Sequence, residues 1–121
     1  MGKRLNAAEF IVGGKPLRDD KAPEHLAFVA SLGCCITGAP CVVHHLLISP
    51  EADRGIGKKS SDRWVLPLAP SLHDALHRAG NETTWFRQYK IEPMGLSAIL
   101  WSVTGNRDAA MRAIRWLVHI T

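Results

Sequence analysis

Four of the six histidines in this chain occur as two close pairs, and no other feature restricts the fold as much. His44 and His45 are adjacent within an apolar run rich in valine and leucine, which is typical of a strand. His73 and His77 lie four positions apart in a segment that follows Pro70, which is typical of a helix. The two pairs can act together only if that strand lies against that helix.

The spacing of the histidines suggests a metal site. Residues four apart on a helix share a face, with Cβ atoms about 6 Å apart, so His73 and His77 can reach one ion. Neighbours on a strand point to opposite faces, so only one histidine of the other pair can join them. With His44 as a third ligand, the ion keeps an open coordination position, as in catalytic sites. Histidine titrates near neutral pH, so His45 could then deprotonate a water molecule.

Each histidine pair also has an ordinary explanation by itself. Two histidines four apart on a helix more often belong to a surface or a packed interface than to a metal site. The order of the elements is more restrictive: a His-His strand, a basic loop with glycines, an apolar run at 64–68 and the His-x-x-x-His helix. Because each element stands where a metal-centred hairpin and helix need it, the metal interpretation is favoured.

Proline, glycine and asparagine divide the rest of the chain into short elements. The predicted helices cover 24–32, 71–79, a segment after Asn81 that carries Trp85, Phe86 and Tyr89, 93–103, and a segment after Asn106 with Ala110, Ile114, Leu117 and Thr121 on one face. Turn residues predict a hairpin within 34–48, and 64–68 predicts a returning strand, which Pro67 ends or places on an edge. These elements predict an α+β fold with more helix than strand.

Length and composition predict one domain. The 121 residues can hold a single core, which we expect at 23–121, preceded by a basic arm at 1–22. No apolar run is long enough to span a membrane and no secretory signal is recognisable, so we expect a cytoplasmic protein. The net charge of +4 weakly favours an anionic partner. Clustered Cys34, Cys35 and Cys41 predict metal binding or burial, and not a disulfide scaffold.

Three stretches of the chain resemble the HNH (His-Asn-His) endonucleases, whose core is two antiparallel strands and a helix around one divalent ion. These stretches are CVVHHLL, GIGKKSSDRWVLPL and HDALHRAGNETTW. Within that superfamily the chain is most similar to the Ref-type phage recombination-enhancement nucleases and related phage and prophage proteins, over about 24–105. The resemblance implies an α+β fold with a ββα-metal core and additional flanking helices.

The resemblance also implies a role for individual residues. His44, His73 and His77 would bind the metal, either Zn²⁺ or Mg²⁺/Mn²⁺, and His45 would be the general base. Asp62 stands near the position of a polar residue that helps to orient the base. A turn-forming aspartate explains Asp62 equally well.

The cysteines depart from the family pattern. Many relatives carry a Cys-x-x-Cys motif before the histidine pair, whereas Cys35 is followed by Ile36, Thr37 and Gly38. With three cysteines and no second motif, a four-thiolate zinc site is not expected. Packing residues, or remnants of such a motif, are the favoured interpretation.

The expected chemistry is hydrolysis of a phosphodiester, which needs an aligned water and stabilisation of negative charge. His45 would activate the water, and the ion would stabilise the charge and the departing oxygen. The basic residues Lys58, Lys59 and Arg63 would bind neighbouring phosphates, although exposed lysines are more often only solvated.

The expected function is therefore that of a metal-dependent DNA endonuclease of a phage or prophage in a bacterial host. The Ref-type resemblance implies recombination intermediates as targets and a recombinase filament as a partner. The alternative is a non-catalytic DNA-binding or protein-interaction module, in which the histidines and one cysteine hold a structural zinc ion. A toxin-like nuclease with an immunity partner is disfavoured, because no receptor-binding or translocation region is recognisable.

Overall fold

The computed structural model describes residues 11–12, 15–16, 21–47 and 61–120. Five α-helices lie within these ranges: α1 (Pro23–Ser31), α2 (Pro70–Ala79), α3 (Glu82–Arg87), α4 (Pro93–Ser102) and α5 (Arg107–Ile114). A π-helical segment, Arg115–Ile120, continues from α5. No helix in the described ranges is both long enough and apolar enough to cross a membrane.

Two antiparallel strand pairs accompany the helices in the same part of the chain. The pairs are β1 (Ile11–Val12) with β2 (Lys15–Pro16), and β3 (Val42–His45) with β4 (Val65–Leu68). The second pair places His44 opposite Leu66 and His45 opposite Val65. Helices together with small antiparallel sheets make an α+β fold, which confirms the predicted class.

Proline and asparagine determine where the helices begin. Proline is the first residue of α1, α2 and α4. The N–H of the first helical residue has no partner within the helix, so proline, which lacks this group, costs no hydrogen bond there. Asn81 and Asn106 cap α3 and α5, and their side-chain oxygens accept the N–H groups of Thr84 and Ala109 at 3.0 Å. The five predicted helices are confirmed, but α3 is shorter than expected, since Tyr89 lies beyond its end.

The prediction of a hairpin within 34–48 was wrong for residues 34–41, which do not form its first strand. Residues 34–41 contain a turn at 35–37 and no strand, and the partner of β3 is β4. Cys34 donates its N–H to the Ala39 carbonyl, and Gly38 donates its N–H to the Cys34 carbonyl, both at 2.8 Å. These local bonds occupy the backbone groups that a strand would need for pairing.

Pro67 lies on an edge strand, as predicted, but does not end the pairing. It stands opposite Val43, and the ladder continues to Leu68 opposite Val42. Each strand of a two-stranded sheet has a free edge, so a residue without an N–H is tolerated there. The Pro67 carbonyl accepts the N–H of Cys35 at 3.0 Å, which joins the preceding turn to β4.

The two ends of the chain are described in part. Of the predicted basic arm at 1–22, residues 1–10, 13–14 and 17–20 lie outside the described residues. On the predicted C-terminal face, Ala110 and Ile114 are buried and Leu117 is 37% exposed, while Thr121 lies outside the described residues. The i→i+5 bonding of a π-helix rotates Leu117 away from the α-helical stripe.

The core surrounds β4, whose four residues are all buried. β4 contacts α1 and α4, and β3 contacts α1 and α2. Phe86 of α3 is fully buried, and its ring centroid lies 6.1 Å from that of His44. Burying a phenylalanine side chain stabilises a fold by about 1.5–3 kcal/mol. The same packing that stabilises the core therefore also holds His44 in place.

Gly80 forms the turn between α2 and α3, with a φ of +81°. We expect Gly80→Ala to lower the free energy of unfolding by about 1–2 kcal/mol, because a Cβ is disfavoured in the left-handed region. Apart from Gly80 and its two neighbours in the chain, no residue has an atom within 4 Å of the added Cβ, so a steric clash does not contribute. Urea denaturation measures the change. Gly80→Asn is the control, since asparagine tolerates this region, and an equal loss in both variants would contradict the conformational explanation.

Candidate metal centre

Three histidines from two elements converge in the structure. His44 lies on β3 and is buried, whereas His73 and His77 lie on α2. One nitrogen of each imidazole lies within 4.8 Å of a nitrogen of each of the other two. The contact between β3 and α2 brings the strand histidine to the helical pair.

The three rings pack edge to face around a common point. The distances between ring centroids are 5.0 Å for His44–His73, 5.8 Å for His44–His77 and 4.5 Å for His73–His77. The Nε2 atoms of His73 and His77 are 3.1 Å apart. Three imidazoles with convergent nitrogens form a donor set that zinc and other divalent ions accept. The residues present therefore fit one divalent ion.

The electrostatics of the cluster favour a neutral imidazole at His73. Partial burial lowers the pKa of His73, the neighbouring His44 and His77 lower it further, and Asp74 acts in the opposite direction. A lowered pKa keeps His73 neutral to lower pH. Because only a neutral imidazole has a lone pair for a metal, the shift favours metal binding over protonation.

His45 points away from the cluster and meets Asp62. Its Nε2 lies 2.8 Å from Asp62 Oδ1, and its side chain is 40% exposed, against 2% for His44. The second carboxylate oxygen, Oδ2, accepts the backbone N–H of Ala22 at 2.7 Å, which holds Asp62 in place. The structure thus brings together the two residues that the sequence paired as base and orienting group.

Glu82 is a residue of the site that the sequence analysis missed. Its Oε1 lies 2.6 Å from His44 Nε2. Its two oxygens also accept the backbone N–H of Leu47, at 3.0 and 2.9 Å. In the sequence, a glutamate just after the capping Asn81 is explained by the helix dipole alone. Its burial, at 4% exposed, indicates a more specific role.

The predicted phosphate-binding residues are described only in part. Lys58 and Lys59 lie outside the described residues. Arg63 is half-buried, and its guanidinium lies 5.4 Å from the ring centroid of Trp64 and 5.3 Å from that of Trp101. Cation–π contacts of this kind restrict the side chain of the arginine without neutralising its charge.

The cysteines lie apart from the histidine cluster. Cys34 and Cys35 are buried, and Cys41 is half-buried. Burial raises the pKa of the Cys35 thiol to about 12, so this side chain is protonated at neutral pH. Cys34 Sγ accepts the N–H groups of Ile36 and Thr37 at 3.4 Å. Among the described residues, the group able to hold a metal contains no cysteine.

Comparison with known proteins gives one match. A family model with the description "Protein of unknown function (DUF968)" matches residues 7–102. This range includes β3, β4 and α2, and hence all three converging histidines. No curated protein and no solved structure matches the chain.

Proposed function

The chain belongs to the DUF968 family, and we propose that it is a metal-dependent DNA endonuclease of the HNH type. One observation carries the proposal. The imidazoles of His44, His73 and His77 converge, and the residue that follows His44 on β3 is a fourth histidine, His45, which is hydrogen-bonded to Asp62. A metal site and a general base on consecutive residues of one strand supply the two parts that phosphodiester hydrolysis needs.

The three converging histidines would hold one divalent ion, Zn²⁺ or Mg²⁺/Mn²⁺. When bound, such an ion stabilises negative charge on a phosphate and on the oxygen that leaves. Since Nε2 of His45 donates to Asp62, its Nδ1 carries the lone pair that accepts a proton from water. Asp62 keeps this imidazole oriented and stabilises the imidazolium that forms.

The proposed fold of the site is a ββα-metal core. β3 and β4 supply the two antiparallel strands, and α2 supplies the helix with two of the ligands. The remaining helices flank this unit. The arrangement of these elements supports the resemblance to HNH endonucleases drawn from the sequence.

DNA is the proposed substrate because of the resemblance to HNH endonucleases, and the charge of the chain agrees with it. The net charge is +4, and basic side chains supply the phosphate contacts that dominate affinity for nucleic acid. Arg63 directly follows Asp62, and Lys58 and Lys59 precede it in the same segment. Action on recombination intermediates, with a recombinase filament as the partner, rests on the resemblance alone.

The alternative function, a module held together by structural zinc, requires a closed coordination shell. Structural zinc sites almost always have four protein ligands. In the described ranges the group of converging ligands has three members, all histidines. Three ligands leave a position open for water or phosphate, so this group favours a catalytic site.

We expect the protein to nick supercoiled plasmid DNA only in the presence of a divalent ion, because the proposed charge stabilisation depends on it. Gel electrophoresis of plasmid incubated with EDTA, Mg²⁺, Mn²⁺ or Zn²⁺ measures the effect. Conversion to the nicked form with metal, and none with EDTA, would support the proposal. DNA binding without cleavage in every metal would instead support the zinc-stabilised module.

A further inference from the structure

Glu82 touches a proposed metal ligand but takes no part in the reaction described above. We propose that Glu82 is a positioning residue that fixes the His44 imidazole in its Nε2–H form and leaves Nδ1 as the metal-binding nitrogen. This inference rests on the proposed function, since it takes His44 to be a ligand.

The contact is short and almost completely shielded from water. Oε1 of Glu82 lies 2.6 Å from Nε2 of His44, and each side chain is 2% exposed. A buried carboxylate is costly unless hydrogen bonds satisfy it. Glu82 has such bonds, because the Leu47 N–H donates to both of its oxygens. The Glu82 carboxylate is therefore held in place by two residues, His44 on β3 and Leu47, which lies two positions beyond the end of that strand.

The hydrogen bond determines which tautomer His44 adopts. A neutral imidazole carries one N–H donor and one acceptor nitrogen, and an ionised carboxylate can only accept. The proton of His44 must then lie on Nε2, and the lone pair on Nδ1. Metal-binding histidines commonly donate their second ring nitrogen to a carboxylate in this way, which also orients the ring.

Glu82→Gln tests this role. The N–H of Leu47 lies 3.0 Å from Oε1 and 2.9 Å from Oε2, so the new amide can turn either its oxygen or its NH₂ group toward His44. An NH₂ group donates to Nε2 and moves the proton onto Nδ1, and a neutral amide oxygen accepts more weakly than a carboxylate, so both orientations weaken the preference for Nε2–H. The variant changes one atom and keeps the shape of the side chain.

We expect Glu82→Gln to lower the affinity for Co²⁺ or Zn²⁺ by about 10–100-fold, the usual cost of losing a group that orients a metal ligand. Isothermal titration calorimetry measures the affinity. Nitrogen-15 NMR of the histidine rings in the metal-free protein reports the tautomer independently of activity. It should show Nε2–H for His44 in the wild type and a smaller Nε2–H fraction in the variant.

Two further variants serve as controls. Glu24→Gln removes a carboxylate from the first turn of α1, as Glu82→Gln does from α3. Glu24 is exposed, so this variant should change neither readout. Glu82→Asp keeps a carboxylate and should retain the Nε2–H tautomer, which separates positioning from a general loss of folding. Circular dichroism checks the fold of each variant.

The outcomes distinguish the inference from the function on which it rests. Wild-type affinity and an unchanged His44 tautomer in Glu82→Gln would overturn the role of Glu82 and leave the nuclease proposal standing. If the wild type binds no metal, the proposed function fails, and the role of Glu82 at a metal fails with it. A tautomer change together with weaker binding supports both.

Discussion

Replacing His45 with alanine is expected to lower the rate of DNA cleavage by about 10²–10⁴-fold, the range that a general base contributes. The imidazole accepts the proton of the attacking water, and alanine offers no group that can do so. Metal affinity should stay unchanged, because His45 is not one of the three converging histidines. Single-turnover cleavage of plasmid DNA measures the rate, and calorimetric titration measures the affinity.

Val42→Ala is the matched control for His45→Ala. Val42 lies on the same strand and is 39% exposed, so its loss removes a β3 side chain of similar exposure that has no proposed chemical role. The Val42→Ala variant should cleave plasmid DNA at close to the wild-type rate. Cleavage by His45→Ala at the wild-type rate would show that His45 is not the base. A joint loss of cleavage and metal affinity would show that His45 supports the metal site instead.

Replacing His77 with alanine is expected to weaken metal binding by at least about 100-fold and to abolish cleavage. Loss of a group that only orients a ligand costs about 10–100-fold, and loss of a ligand itself should cost more. His77 is exposed on α2, so its removal should leave the core intact. Titration with Zn²⁺ or Co²⁺ measures the affinity, and thermal unfolding of the metal-free protein checks the fold.

His119→Ala is the control for His77→Ala, because it also removes one histidine from the chain but not one of the three converging imidazoles. His119 is exposed and lies outside the cluster, where its Nε2 contacts the Cys35 carbonyl at 3.0 Å. This variant should bind metal as the wild type does. Wild-type affinity in His77→Ala would rule out a site built from the three imidazoles.

The helices could be predicted because their signals are local. Proline at the first position, asparagine at the cap and glycine at the end act on neighbouring residues, so the sequence alone contains the information. The segment 34–41 was predicted wrongly because its turn residues are compatible with both a hairpin and an isolated turn. Local bonds close the turn, and Cys35 then pairs with the carbonyl of Pro67, a partner so far along the chain that no local pattern indicates it.

The same distinction applies to the candidate site. The spacing of His73 and His77 defines a helical face, so their proximity follows from local geometry. Alternation along β3 separates the surroundings of His44 from those of His45, as expected for a strand. Glu82 was missed because its partner His44 lies on a different element, and its position after a helix cap has an adequate local explanation.

The pairing of β3 with β4 has a consequence for how the chain folds. Residues 46–64 separate the two strands, whereas α2 and α3 are neighbours in sequence as well as in space, as are α4 and α5. Closing a long loop costs entropy before the strands can pair, so we expect the helical neighbours to form first and the sheet later. His73 and His77 would then come together early, and His44 would join them only as the sheet closes. Completion of the three-histidine cluster would thus mark one of the last steps of folding.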